Sequence, residues 1–278
     1  MSQIPNHQIL DAKTDIEDLL SDSRKAPVKL VYAAKKNHDL IAEEAEDLES
    51  FRVELLSDFA ETDEQGNIIR QMGEDGEPTE QAEFESQEAL QEFQERLSEI
   101  YSDEADLDVR TVDIDSVGEY VAPASWGKNL DFMFEGFETK EEELRGGEVQ
   151  ASTDSIENIL GMKADVEEEP KLPLKFSAAL YRTYKSLAEA QTQIEESRFE
   201  LLAKYAEKDE EGVVKTKDGS TRAEFPDEES EELFHEELND VYNEHYEVEA
   251  SMVEIGYTDG VDIHPRHTII LEWLLTAE

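Results

Sequence analysis

Arg52-Val-Glu-Leu-Leu-Ser-Asp-Phe-Ala-Glu-Thr-Asp-Glu-Gln-Gly66 returns 146 residues later as Arg198-Phe-Glu-Leu-Leu-Ala-Lys-Tyr-Ala-Glu-Lys-Asp-Glu-Glu-Gly212, with nine of fifteen positions identical. Self-similarity at a fixed offset marks a chain that repeats one structural unit. Positions kept in both copies read as what the unit's fold requires. Both stretches end an apolar-periodic run with Asp63-Glu-Gln-Gly66 or Asp209-Glu-Glu-Gly212. Here the glycine predicts the left-handed residue that stops a long helix.

Upstream of the stop, Ala34, Ile41, Leu48 and Leu55 form a seven-residue apolar row, matched by Leu180, Leu187, Ile194 and Leu201. Such a row places one narrow stripe along a helix that packs on another helix. The neighbouring row, Asn37 and Glu44 against Thr183 and Ala190, is not apolar, which favours a helical hairpin over a free coiled coil. Pro27 and Pro173 introduce the long helices, expected over 28–60 and 174–206. Before them, Thr14-Asp-Ile-Glu17 and Asp154-Ser-Ile-Glu157 have capping-box spacing and predict short helices. The loop between these helices is six residues longer in the second copy.

Downstream, Glu74-Asp-Gly76 and Lys217-Asp-Gly219 predict a small hairpin or loop. Phe84, Phe93, Leu97, Ile100 and Tyr101 then match Phe225, Phe234, Leu238, Val241 and Tyr242 and predict a second helix closing over the stripe. The alternation in 107–114 and 248–255 reads as a half-buried strand. Leu130-Asp-Phe-Met-Phe134 and Leu271-Glu-Trp-Leu-Leu275 predict short docking helices. The expected fold is α+β, mostly α. A first unit covers 1–135, a linker 136–152 (read from Lys140-Glu-Glu-Glu143 and Gly146-Gly147) and a second unit 153–278.

Acidic residues number 72 against 25 basic ones, a formal net charge of −47. Three causes compete: adaptation to molar salt, where repulsion is screened within roughly 3 Å; mimicry of a nucleic acid by acidic helices; and disorder. Repeated apolar periodicity argues against disorder. Acid spread over helices, turns and linker alike fits solvent adaptation better than a single mimetic face. The chain has no cysteine, so thiolate metal sites and disulfides are excluded. No basic or apolar leader and no apolar run of roughly 18 residues is present. These absences predict a protein without membrane or direct nucleic-acid contact.

No catalytic motif stands out, and no cofactor is expected. Carboxylate pairs arise by chance in so acidic a chain. Asp63 to Gly66 and Asp113-Ile-Asp115 lack the alternating ligands of a calcium loop, although loose surface binding of cations is expected. His264-Pro-Arg-His267 reads as a turn, since two histidines do not make a metal site. The scarce cations are more informative. Lys29 matches Lys175 and Lys36 matches Arg182, near the start of each long helix. They either neutralise neighbouring acids or form a docking patch for an acidic partner or for the other copy.

Lys25-Ala-Pro-Val-Lys29 and Lys171-Leu-Pro-Leu-Lys175 open the long helices. With the acidic glycine stop, Tyr246-Glu-Val-Glu249 and Leu271-Glu-Trp273, the chain resembles a family of small tailed-phage proteins of unknown function. Members of that family usually hold one unit, so the doubled form is a departure. The resemblance implies a viral context, with the protein in the virion or the host cytoplasm, and the acidity then a virus of a halophilic archaeon. It supplies no catalytic residues. The expected function is a non-enzymatic structural or interaction protein of the virion or an accessory of it, with virion proteins or itself as partner. The alternative is an acidic DNA-mimic inhibitor of a nucleic-acid-binding protein.

Overall fold

The structure is a computed structural model and describes residues 2–21, 23–63, 65, 67–72, 78–162, 169–209, 212–217, 222–254 and 263–276. The first elements are β1 (Ser2–Pro5), α1 (Asn6–Ser21), α2 (Val28–Phe59), β2 (Arg70–Met72), β3 (Pro78–Ala82), α3 (Gln87–Ser102), β4 (Glu104–Leu107) and β5 (Val112–Asp113). Then come β6 (Val121–Pro123), α4 (Ser125–Asn129), β7 (Phe134–Glu135), β8 (Thr139–Arg145), α5 (Gly146–Leu160), β9 (Lys171–Pro173) and α6 (Leu174–Tyr205). The chain continues with α7 (Glu228–Asn243), β10 (His245–Ser251), β11 (Val253–Glu254), α8 (Pro265–Ile270) and β12 (Leu275–Thr276). The fold is α+β and mostly helical, and the strands pair only two by two among the described residues.

Two compact units emerge: residues 1–118 with 132–135, and residues 119–131 with 136–278. This differs from the expected division in two places. Residues 136–152, expected as a linker, hold β8 and the first turns of α5. The pair Gly146-Gly147, read as flexible, opens α5 instead. A Cβ on Gly146 would stand 3.0 Å from the Val241 carbonyl and 3.1 Å from Tyr242 Cα, so this glycine permits a close approach to α7. Residues 119–131, assigned by sequence to the first copy, pack in the second unit.

In the first unit, β1 runs antiparallel to β4, with Pro5 opposite Glu104. The turn into α1 is held by Asn6, whose Nδ2 donates to the Ile100 carbonyl at 2.8 Å. Helix α1 buries Ile9, Ala12, Ile16 and Leu19 at spacings of three and four, the periodicity of one helical face. Thr14 is therefore mid-helix, not a cap, and Asp154 likewise lies inside α5. Helix α2 packs on α1 and buries Leu30, Ala34, Asn37, Ile41, Ala45 and Leu48.

The glycine stop is a turn rather than a helix cap. Helix α2 ends at Phe59 with extended Ala60, and Glu61 N–H donates to the Glu83 carbonyl at 2.9 Å. What ends the helix is pairing of the following backbone with 83–84. The Asp63 carboxylate then accepts from Gln65 and Asn67 N–H at 2.8 and 2.9 Å, closing the turn. In the second half Gly212 has φ +86° in the matching turn, where Asp209 accepts from Val213 N–H at 2.9 Å. Gly66 lies outside the described residues. So do Asp75-Gly76 and Asp218-Gly219, although β2 and β3 form an antiparallel pair around the former.

The second unit repeats the order. Strand β8 runs antiparallel to β10, with Arg145 opposite His245. Helix α5 is stopped by Gly161 at φ +68°, a left-handed C-terminal residue. Helix α6 buries Phe176, Leu180, Thr183, Leu187, Ala190 and Ile194. Helices α3 and α7 are capped by Ser86 and Asp227, which accept from Ala89 and Ser230 N–H at 3.1 and 2.7 Å. Phe84 packs on Phe93 at 5.3 Å and Phe225 on Phe234 at 5.1 Å between ring centroids. The apolar tails form a 3-10 turn and then a parallel strand pair, Val112 opposite Phe134 and Val253 opposite Leu275.

Candidate interaction surface

Lys-x-Pro-x-Lys fixes where each long helix begins, because proline presets φ and needs no donor at the first turn. In the second unit this lead-in is occupied. Strand β6 runs antiparallel to β9, with Val121 opposite Pro173 and Pro123 opposite Lys171. Leu174 N–H donates to the Tyr120 carbonyl at 2.8 Å, and Ala124 N–H to the Pro170 carbonyl at 2.9 Å. Helix α4 then lies on the first turns of α6. A Cβ on Gly127 would stand 2.5 Å from the Ser177 carbonyl carbon, so only glycine allows this approach.

At the end of α4, Asp131 meets two cations of α6. Arg182 Nε donates to its Oδ1 at 2.5 Å, and Lys185 Nζ to its Oδ2 at 3.1 Å. Arg182 Nη2 also donates to the Asp131 carbonyl at 3.1 Å, and the guanidinium stands 4.2 Å from the Phe137 ring centroid. Asp131 is 7% exposed, so its carboxylate is paired where water is scarce, while the surplus positive charge sits toward solvent on Lys185, whose side chain is 46% exposed. Beside it, Lys185 lies 5.0 Å from the Tyr181 ring centroid. Burial, then the Asp131 charge and Tyr184, push the Tyr181 phenol up to about 12.

The four expected contact residues therefore divide. Lys175 is 8% exposed and belongs to the interior of the second unit, while Arg182 is half-buried and held within that unit by Asp131 and Phe137. Lys29 and Lys36 are exposed, and the Lys36 ammonium lies 5.8 Å from the Tyr32 ring centroid. Matched positions show the same contrast. Leu174 and Ala178 are fully buried, whereas Val28 and Tyr32 are 85% and 54% exposed. Asp131, Trp126 and Gly127 escaped the sequence reading because they were assigned to packing within their own copy. Their signal was the Trp-Gly pair, a bulky side chain beside a bare backbone.

Elsewhere the cations neutralise neighbouring acids. Arg52 and Arg198 pair with Glu49 and Glu195, one turn earlier on each long helix, at 2.6 and 3.0 Å. The Arg52 hydrogen bond holds the Glu49 carboxyl below its ordinary range. Lys204 and the Tyr205 hydroxyl both donate to Glu237 on α7, at 2.8 and 2.7 Å. His264 Nδ1 accepts from Arg266 N–H at 3.2 Å and so caps α8; the stretch expected as a turn instead opens a short helix that includes His267. Asp113 accepts from Asp115 N–H at 2.9 Å in the same manner. Among the described residues no group of three or more His, Asp or Glu side chains is placed to hold a metal ion. Nor is any described helix long and apolar enough to cross a membrane.

No protein-family model matches this chain, and neither the curated proteins nor the solved structures contain a detectable relative.

Proposed function

We propose that this chain is a non-enzymatic structural or interaction protein, arisen by tandem duplication, that serves as a virion or accessory component of a halophilic tailed virus. One observation carries the interaction reading: the start of α2 presents Val28, Tyr32, Lys29 and Lys36 to solvent where the matched start of α6 is covered. Uncovered apolar side chains ringed by cations are out of place on a surface of net charge −47, and such patches mark contact sites. The viral and halophilic parts of the reading rest on the family resemblance and on the charge.

The test is incorporation into particles. Wild-type protein should co-sediment with purified virus, and Val28→Asp with Tyr32→Asp should lower its share of the particle by at least about tenfold, as loss of a central contact does. Circular dichroism should show both proteins equally folded. Equal incorporation would remove the α2 face from consideration. Absence of the wild-type protein from particles would reject the virion reading.

A further inference from the structure

We infer that the α2 face of one molecule receives the α8 region of a second copy of the same chain, in a head-to-tail contact. This deepens the proposed function and rests on it. Residues 119–131 cover the start of α6, and their matched residues further along the chain are 260–272, of which 263–272 are described. The start of α6 in turn matches the start of α2. Each molecule thus carries one covered pair, plus one uncovered face and one segment matching the cover.

Both uncovered parts have the character of a contact. Val28, at 85%, and Ile269, at 73%, are the two most exposed large apolar side chains among the described residues. Val28 stands where Leu174 is fully buried. Ile269 stands on α8 where α4 has Lys128, and α4 is the helix that lies on α6. On its other side the α8 region is anchored in its own unit, since Leu271 and Leu274 are 4% and 1% exposed. Glu272 is exposed in the place of Asp131, and Lys36 is exposed in the place of Arg182, so one of the two ion pairs can form again; the other cannot, because Asp39 stands where Lys185 does.

The lead-in backbone agrees. Lys171–Pro173 is a strand because β6 lies against it, whereas the matched Lys25–Pro27 is not in a strand. One difference changes the fit. Thr268 replaces Gly127 and Tyr32 replaces Ala178, so the backbone approach seen at Gly127 gives way to side-chain packing through Val28, Tyr32 and Ile269. Apolar packing is the contact that survives molar salt, where screening leaves an exposed ion pair little strength. The two surfaces differ from each other, so the contact is heterologous and extends into chains unless it closes.

The cysteine-free sequence allows a direct test on purified protein in molar KCl. Lys36→Cys on one chain and Glu272→Cys on a second, tagged chain are mixed and treated with a short bismaleimide. The expected product is the mixed cross-linked pair, at least about tenfold above a Glu54→Cys and Glu272→Cys control. In sedimentation equilibrium the wild-type mean mass should rise with concentration. Val28→Asp and Ile269→Asp should each hold it at one chain with an unchanged circular dichroism spectrum. Cross-linking no better than the control, or a wild-type mass that stays at one chain, overturns the head-to-tail contact. So does a cross-link that forms within a chain carrying both Lys36→Cys and Glu272→Cys but not between the two singly substituted chains. If any of these results accompanies loss of Val28→Asp, Tyr32→Asp protein from particles, the interaction reading stands with a different partner.

Discussion

A buried polar residue on the long helix is the clearest case of one position deciding structure. Asn37 is 1% exposed, and its amide donates to the Arg110 carbonyl at 3.0 Å and accepts from Arg110 N–H at 2.7 Å. The matched Thr183 is fully buried and accepts from Ser251 N–H at 3.0 Å, and Ser251 matches Arg110. Two chemically different side chains thus hold matched backbone positions, Arg110 just beyond β4 and Ser251 at the end of β10. A helix face that meets extended backbone must supply hydrogen-bond groups, because a buried peptide without a partner costs about 1–3 kcal/mol. Asn37→Ala should lower stability by about 2 kcal/mol in urea unfolding, with an unchanged slope against denaturant. Asn37→Thr should restore part of the loss, since the second half works with a hydroxyl alone. Equal stability of wild type and Asn37→Ala would show that water replaces the amide.

At the scale of elements, the long helices were legible almost to the residue. Expected over 28–60 and 174–206, they run Val28–Phe59 and Leu174–Tyr205. Proline lead-ins and a sustained apolar row are local signals; Ala34, Ile41 and Leu48, and Leu180, Leu187 and Ile194, are buried as the rows predict, while Leu55 and Leu201 are only half-buried. Helix α5 was half hidden because Gly146 reads as a linker residue, while its role depends on α7, nearly a hundred positions away in sequence. The covering of α6 by 119–131 was illegible for a related reason: a repeat tells which segments match, but not which copy a segment joins. The contact residues divided accordingly, Lys175 and Arg182 inward, Lys29 and Lys36 outward. Gly127 is where this pairing is most exposed to test. In Gly127→Ala the new methyl would meet backbone rather than a yielding side chain, so α4 must lift from α6. Overpacking of this kind costs about 1–3 kcal/mol. The hydrogen-bonded backbone amides of Ala124 and Leu174 should lose hydrogen-exchange protection before those of β8 and β10. Uniform loss across the second unit would mean that the segment is not a separable cover.

For the whole molecule, charge sets the conditions under which either unit folds. A formal charge of −47 on 278 residues is only locally relieved by the pairs at Glu49, Glu195, Glu237 and Asp131. Two like charges 10 Å apart in water repel by about 0.4 kcal/mol, and many such pairs together rival a net stability of about 5–15 kcal/mol. At 0.01 M salt the screening length is about 30 Å, so each unit feels all of its own acids; at 1 M it is about 3 Å, and only direct neighbours remain. Unfolding relieves this repulsion, so stability should climb with salt. A chain of this size shifts its melting temperature by roughly 2–4 °C per kcal/mol. Helical circular dichroism should therefore show melting at least about 10 °C higher in 3 M than in 0.05 M KCl if screening restores some 4 kcal/mol or more. Binding of a DNA mimic to a basic partner would move the other way, weakening as the same salt is added. A melting temperature indifferent to KCl would mean that the folded surface does not hold its acids close enough to repel, and would remove the physical ground for a halophilic setting.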